Sequence, residues 1–350
     1  LPPMTNKDLD NTPCPCGSGK PFTDCCGAAT GEAPSAAVQA LREELQKALG
    51  DRSFDSPGEA NEAMAAHLET VNRRPVDDFQ GLSREQMYRV LYHPFDAPEL
   101  VRFGEGIEAR PEAPVMRLFE AIVKAAAEEP GIKLTPKGNL PRAVVADAKA
   151  ALGEGGGSCE LRVGAVRNEE DLGELHTTRL IAGFAGLTRK YKGRLKLTKR
   201  ARGLLDTGDW GELFRRLLEA YCREFNWAYR DGLPELRLIQ EAAVFFLYLL
   251  HRYGAEWRPQ AFYEQAFLRA FPDVVGELPA EEAPWAASPE KKIRQAWTMR
   301  TLYRFGCFFG LLELRPVPNE EGGVPAPFAP VEVRKTPLFD RAVRWEVGWG

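Results

Sequence analysis

Four cysteines near the start of the chain constrain its folding more than any other feature. Cys14, Cys16, Cys25 and Cys26 follow the spacing C-x-C-x8-C-C. Zinc prefers four soft ligands at tetrahedral corners, and thiolates suit it. Because a segment of roughly 30 residues cannot bury enough apolar surface to fold alone, metal binding would supply its folding energy. We therefore predict a structural zinc knuckle with these four cysteines as ligands.

Two other interpretations of the cysteines are a disulfide pair and a set of unrelated thiols. Neighbouring cysteines rarely pair with each other, and a reducing compartment disfavours disulfides. The Gly-Ser-Gly-Lys segment at residues 17–20 also suggests a phosphate-binding loop. That pattern requires a glycine where Cys14 stands and a preceding strand, so we reject it.

This cysteine segment resembles a known family. The sequence Cys-Pro-Cys-Gly-Ser-Gly-Lys at residues 14–20, followed by Cys25-Cys26-Gly, resembles the SEC-C motif, first noted at the C-terminus of the SecA translocation ATPase. The resemblance implies a zinc ion held by the four cysteines. In that ATPase the module also contacts a chaperone and the ribosome through basic and aromatic residues between the cysteine pairs. Of that set, Lys20 and Phe22 are present here and are the candidate partner-binding residues.

Composition indicates a soluble protein. Hydrophobic residues make up 44% of the chain and charged residues 27%, and the net charge is −4. Residues 1–8 lack the apolar core of a signal peptide. The apolar run at residues 242–250 is about half the length needed to cross a bilayer. We expect a cytoplasmic protein with no membrane partner.

The spacing of apolar residues predicts a mainly α protein (α+β class) with small β-hairpins. We predict four segments in chain order: a SEC-C-like zinc knuckle (4–30), a helical arm (31–110), a first winged-helix-like domain with a basic hairpin (111–210), and a helical segment with a second winged-helix-like domain (211–350).

The winged-helix interpretation rests on one pattern that occurs twice. Helices lead to Gly186-Leu187, a short strand, a turn at Lys192-Gly193, and a second strand at residues 194–197, after which Thr198 can cap a helix. Helices again lead to Gly310-Leu311 and two strands, followed by Thr336 as a possible cap. Three helices followed by a hairpin is the order of a winged helix. An irregular helical bundle with incidental hairpins is the alternative.

Basic residues are concentrated on the first predicted hairpin. Eight of fourteen consecutive residues are basic and none is acidic: Arg189, Lys190, Lys192, Arg194, Lys196, Lys199, Arg200 and Arg202. Alternate strand residues share a face, so Arg194 and Lys196 are expected to point outward while Leu195 and Leu197 point into the core. A hairpin of this kind can lie along the phosphates of DNA or RNA.

In a winged helix, the helix before the hairpin enters the major groove. Here that helix carries His176, Thr177, Thr178 and Arg179, which we predict to reach base edges or phosphates. The alternatives are a solvated basic face, or a hairpin that docks on the chain's own acids: Glu169, Glu170, Asp171 and Glu174.

The sequence contains no recognisable catalytic constellation. Its four histidines are far apart, and none has the spacing of a metal enzyme. Four thiolates would fill the zinc tetrahedron and leave no open position for chemistry. The leading hypothesis is a non-enzymatic zinc-binding adaptor that contacts nucleic acid through the basic hairpin and a protein through the knuckle. The contrasting hypothesis is a pure protein-interaction module whose basic hairpin meets an acidic protein.

Overall fold

The computed structural model describes residues 56–153, 165–278, 288–317 and 329–347. The chain divides into two compact units, residues 1–72 and residues 73–350. In the first unit, the described part is α1 (Pro57–Asn72), a helix within the segment predicted as a helical arm. The predicted zinc ligands and partner-binding residues lie outside the described residues: Cys14, Cys16, Cys25, Cys26, Lys20 and Phe22.

The second unit is mainly helical. Its described α-helices are α2 (Arg84–Tyr92), α3 (Pro114–Ala127), α4 (Arg142–Leu152), α5 (Gly173–Phe184), α6 (Lys199–Thr207), α7 (Trp210–Arg223), α8 (Arg237–Glu241), α9 (Ala243–Tyr253), α10 (Gln260–Ala270), α11 (Pro289–Trp297) and α12 (Pro337–Ala342). A π-helical segment, Thr298–Cys307, continues α11. Short 3-10 turns lie at Asp77–Phe79, Pro94–Asp96, Glu169–Asp171 and Pro272–Glu277.

The described strands form small antiparallel sheets. They are β1 (Val101–Phe103), β2 (Ile132–Lys133), β3 (Thr188–Tyr191), β4 (Arg194–Leu197), β5 (Arg258–Pro259), β6 (Leu312–Pro316), β7 (Val331–Lys335) and β8 (Val343–Trp345). Their sheet orders are β1-β8, β2-β4-β3 and β5-β7-β6. The predicted fold class, mainly α with small β-hairpins, is confirmed. Within the described ranges, no helix is both long and apolar enough to span a bilayer.

The segment predicted as a helical arm contains a strand that the sequence analysis did not predict. Helix α2 begins at a capping box, in which Ser83 and Gln86 exchange backbone and side-chain hydrogen bonds. Strand β1 then pairs with β8 and places Val101 opposite Trp345. A three-residue strand is too short to show alternation in the sequence, so β1 can be identified only from its pairing with β8.

The same order of elements occurs twice in the second unit. The first repeat, residues 114–197, contains α3, β2, α4, α5 and the β3–β4 hairpin. The second repeat, residues 243–335, contains α9, β5, α10, α11 with its π-helical continuation, and the β6–β7 hairpin. Both hairpins were predicted. The two-residue strands β2 and β5, which pair with the outgoing strand of each hairpin, were not.

The two repeats enter and leave their hairpins through the same hydrogen bonds. Gly186 and Gly310 occupy matching positions with φ of 67° and 66°, where a side chain would be strained. The Thr198 hydroxyl donates to the Gly186 carbonyl oxygen over 2.8 Å. The Thr336 hydroxyl donates to the Gly310 carbonyl oxygen over 2.6 Å. The sequence similarity between the repeats is therefore concentrated where the backbone geometry demands particular residues.

Each threonine also caps the helix that follows its hairpin, as predicted. Thr198 Oγ1 accepts the N–H of Ala201 over 3.1 Å at the start of α6. Thr336 Oγ1 accepts the N–H of Phe339 over 3.3 Å at the start of α12. A capping threonine satisfies a backbone donor that has no partner within the helix. The same side chain thus links the end of each hairpin to the next helix.

A buried ion pair anchors the loop at residues 224–236, which lies between the two repeats. Arg300, in the π-helical segment, is 1% exposed and donates two hydrogen bonds to Asp231, of 2.7 and 3.2 Å. It also donates to the carbonyl oxygen of Pro234. Arg304, one turn further on, donates to the carbonyl oxygen of Tyr229 over 3.0 Å. The third helix of the second repeat therefore holds this loop in place.

The loop covers a second buried ionic cluster, which is centred on Glu169 in the first repeat. The Glu169 side chain is fully buried. One of its oxygens lies 2.5 Å from Arg179 Nε and 2.7 Å from His176 Nδ1, and the other accepts the N–H of Leu140. Burial alone would raise the pKa of Glu169, but hydrogen bonds from His176, Leu140 and Arg179 outweigh it and hold that pKa below its usual value.

This cluster contradicts the predicted role of α5. His176, Thr177 and Thr178 are 8%, 7% and 0% exposed. The ring of Tyr229 stacks on His176 with centroids 5.9 Å apart. Arg179 points at the buried carboxylate. The prediction that these four α5 residues reach base edges or phosphates is therefore wrong, because the face that would enter a groove is packed inside the protein.

Replacing Glu169 with glutamine should destabilise the protein in a pH-dependent manner. The depressed pKa means that the ionised carboxylate stabilises the fold above its usual pKa, and that this contribution is lost as pH falls through the lowered value. We expect Glu169→Gln to lower the free energy of unfolding by on the order of 3 kcal/mol at about pH 7. Urea unfolding at decreasing pH should show this difference shrinking as pH falls through the lowered pKa of Glu169.

The neighbouring Glu170→Gln is the matched control. Glu170 is half exposed and contacts Asn139 over 3.1 Å and Arg230 over 3.7 Å. Its loss should cost less than about 1 kcal/mol. An equal effect of the two substitutions, or a Glu169→Gln effect that does not vary with pH, would contradict the assigned role of the buried carboxylate.

Candidate nucleic-acid interface

The first hairpin is closed by a two-residue turn. Lys192 and Gly193 both have positive φ, 47° and 71°, which is typical of the type I′ turn that matches the twist of antiparallel strands. Tyr191 and Arg194 form the pair that flanks this turn. The turn therefore presents the Lys192 side chain at the tip of the hairpin.

The two faces of the hairpin differ as predicted. Leu195 and Leu197 are 4% and 7% exposed and contribute to the core. In the observed register Arg189 lies opposite Lys196 and Tyr191 lies opposite Arg194. Because side chains alternate along each strand, these four share the outer face of the sheet.

Strand β2 adds a lysine that the sequence analysis missed. Lys133 pairs with Arg194, so it belongs to the same outer face. It lies 56 positions earlier in the chain than Arg189, and only the pairing of β2 with β4 brings it to the hairpin. An isolated lysine beside one isoleucine gives no strand signal, so nothing in the sequence indicated it.

We call this surface the basic face. It comprises the outer face of the β2-β4-β3 sheet, the hairpin tip and the first turn of α6: Lys133, Arg189, Tyr191, Lys192, Arg194, Lys196, Lys199, Arg200 and Arg202. Lys190 is exposed but pairs with Leu195, so it belongs to the other face of the sheet. Seven of the eight predicted nucleic-acid-binding residues therefore lie on the basic face, together with Lys133 and Tyr191.

Three of the eight predicted residues already have partners within the protein. Arg194 donates to the carbonyl oxygen of Gly131 over 2.9 Å. Lys196 and Arg202 each donate to one oxygen of Glu129 over 3.0 Å. These hydrogen bonds, from Lys196 first and Arg202 second, hold the pKa of the exposed Glu129 below its usual value. Glu129 thus partly neutralises one edge of the basic face.

The other five have no carboxylate partner among the described residues: Arg189, Lys190, Lys192, Lys199 and Arg200. All five are exposed. The alternative in which the hairpin docks on the acidic turn before α5 is not observed. Glu169 instead binds His176 and Arg179, and Asp171 accepts the N–H groups of Arg167 and Asn168.

The second hairpin provides an internal comparison. At the positions of Arg189 and Lys196 it carries Glu313 and Arg334, which form an ion pair of 2.7 Å. At the positions of Tyr191 and Arg194 it carries Arg315 and Glu332, which also pair. Cross-strand charges of opposite sign neutralise each other on this face. The two hairpins therefore share a backbone but differ in surface charge.

The two parts of the chain differ in their potential metal ligands. In the described part, no group of three or more histidine, cysteine, aspartate or glutamate side chains is placed to hold a metal ion. The donor set of the cysteine cluster is four thiolates, which is the chemistry of a closed structural zinc site. Those residues fit zinc by ligand type and number.

Two segments of the chain match known protein families. Residues 11–28 match the family model of the SEC-C motif, so the resemblance seen in the sequence is confirmed. This motif is of a zinc-binding type, and the matched segment includes all four cysteines of the cluster.

Residues 111–209 match the family model of the Y4jL N-terminal domain. This segment contains the first repeat and α6, and hence the whole basic face. No curated protein and no solved structure matches the chain. The two family matches therefore coincide with the cysteine cluster and with the repeat that carries the basic face.

Proposed function

We propose that this protein is a non-enzymatic, cytoplasmic, zinc-binding adaptor that contacts nucleic acid through the basic face and a protein partner through its zinc knuckle. The observation that carries the proposal is the set of five exposed cations without carboxylate partners, within the described residues of a chain whose net charge is −4. Each phosphate that such a cation neutralises releases counterions, which favours binding.

The order of elements in both repeats supports a winged-helix-like fold. Each has three helices, a short first strand that pairs with the last strand, and a β-hairpin that takes the place of the wing. In the first repeat α5 takes the place of the groove-reading helix, and its residues His176, Thr177 and Thr178 are buried. We therefore assign the nucleic-acid contact to the wing and the sheet face, and not to this helix.

The zinc knuckle supplies the second half of the adaptor. Cys14, Cys16, Cys25 and Cys26 would hold one zinc ion, which fixes the fold of the knuckle and carries out no reaction. Lys20 and Phe22 lie between the cysteine pairs. We assign partner binding to these two residues.

A second candidate function is a pure protein-interaction module with no nucleic-acid binding. One contact favours it: the Glu129 carboxylate bridges Lys196 and Arg202, so this surface accepts carboxylate groups. An acidic protein segment would extend that contact. Polynucleotide binding separates the two candidates. A surface that is specific for carboxylates is not expected to show the salt-dependent binding that counterion release from DNA or RNA produces.

Reversing three charges on the basic face should abolish nucleic-acid binding without harming the fold. In the triple variant, Arg189→Glu creates an attractive pair with Lys196, and Lys199→Glu and Arg200→Glu place acids in the first turn of α6, where they are favourable. Fluorescence anisotropy should show affinity at least about tenfold weaker at low salt. The slope of log affinity against log salt should fall by about 2 to 3.

The matched control places the same charge change in the first turns of three other helices. Arg84→Glu, Arg237→Glu and Lys291→Glu alter exposed residues at the starts of α2, α8 and α11. Both triple variants change the net charge by the same amount, so a difference in their nucleic-acid affinity must come from a local site. If both variants weaken nucleic-acid binding equally, binding depends on overall charge and not on the basic face. If the unmodified protein binds no nucleic acid, the protein-interaction module is the remaining candidate function.

Removing two of the cysteines should remove the metal. We expect one equivalent of zinc per chain in the unmodified protein and its loss from Cys25→Ser with Cys26→Ser, measured by elemental analysis of the full chain. Thiolates are the preferred ligands, and two serine hydroxyls do not replace them. Cys222→Ser, which changes a free cysteine of α7, should retain the full equivalent. Zinc retained by the double variant would contradict the assignment.

A further inference from the structure

Tyr191 is the aromatic side chain of the basic face. It is the last residue of β3, beside the hairpin turn, and 48% of its surface is exposed. Large aromatic side chains usually contribute to the core, and Tyr191 is not among the apolar residues packed against it. Its position therefore needs an explanation other than packing.

Two cations flank the Tyr191 ring. The Arg189 guanidinium and the Lys192 ammonium each lie 5.5 Å from the ring centroid. Such cation–π contacts limit the orientations of the ring while both charges stay exposed. The arrangement is a half-exposed aromatic ring with two exposed cations beside it. The matching residue of the second hairpin is Arg315, which is paired with Glu332, so the repeat fold does not require a tyrosine here.

An exposed aromatic ring beside cations has different uses on a duplex and on a single strand. In a duplex the bases are stacked on one another, so a side chain on a sheet face meets the sugar–phosphate backbone. In a single strand the bases can turn outward and stack on an aromatic ring while neighbouring phosphates meet cations. The burial of α5 also leaves the first repeat without an exposed helix at the position that reads the major groove.

We infer that the basic face binds single-stranded nucleic acid, with Tyr191 as the stacking platform for one base and Arg189 and Lys192 as contacts for the adjacent phosphates. This inference rests on the proposed nucleic-acid function and specifies its ligand. The shared chemistry is an unpaired base with a flanking phosphodiester, which single-stranded DNA and RNA both offer.

The test compares Tyr191→Ala with the full-length protein by fluorescence anisotropy. The probes are labelled oligothymidylate and oligouridylate of about 12 nucleotides, and a DNA duplex of about 12 base pairs. Loss of one base–aromatic stack should weaken single-strand binding by about 5- to 150-fold. Duplex binding should change less than about twofold, because no phosphate-binding charge is removed, and the salt slope should stay unchanged.

Two control variants isolate the ring. Tyr191→Phe keeps the aromatic face and should bind like the unmodified protein. Tyr88→Ala removes another exposed aromatic residue, on α2, and should leave binding unchanged. Because Tyr191 lies outside the core, Tyr191→Ala should melt at the same temperature as the unmodified protein, which confirms that the variant is folded.

The outcomes separate this inference from the proposed function. If Tyr191→Ala binds single strands as well as the unmodified protein, or weakens duplex and single strands equally, the stacking inference is overturned. The proposed function then still stands, provided the triple charge reversal abolishes binding. If no probe binds at low salt, both fail. Selective weakening of single-strand binding by Tyr191→Ala supports the inference, and the tighter of oligouridylate and oligothymidylate is then the preferred strand.

Discussion

The buried carboxylate of Glu169 determines which surface of the first repeat is available for binding. It draws Arg179 and His176 inward, and the Tyr229 ring closes over His176. The loop that carries Tyr229 is itself held by the second repeat, through Arg304. A buried charge without partners is costly, so these contacts are not easily exchanged for contacts with a ligand. The helix that would read a groove is consequently structural, and the sheet and hairpin remain as the exposed charged surface.

The two repeats show how one backbone supports two different surfaces. Both use a glycine at positive φ and a threonine hydroxyl to fix the hairpin, through hydrogen bonds at matching positions. On the outer face, however, the pair of Arg189 and Lys196 is replaced by Glu313 and Arg334. Like charges placed opposite each other are unfavourable within a sheet. In the first hairpin Glu129 offsets part of this repulsion by pairing with Lys196, and Arg189 keeps no carboxylate partner among the described residues. The second hairpin instead neutralises its charges in pairs across the strands.

Much of the fold follows from the sequence because its signals are local. The capping box at Ser83, the turn at Lys192-Gly193 and the threonine caps each depend on residues a few positions apart. The features that the sequence does not reveal depend on distant pairings. Lys133 joins the basic face only through β2, Glu129 reaches Lys196 across 67 positions, and α5 is buried by a loop 53 positions away from His176. The polar sequence of α5 suggests a binding surface, and only its contacts with distant residues show that this face is buried.

The central claim is that the basic face of the first repeat is the nucleic-acid surface, and hydrogen–deuterium exchange tests it within one molecule. Exchange should be measured with and without saturating single-stranded oligonucleotide at low salt. The account predicts slower exchange across β3, β4 and the start of α6, with the matching amides of β6 and β7 unchanged as an internal reference. Equal slowing in both hairpins, or slowing confined to other elements, would contradict it.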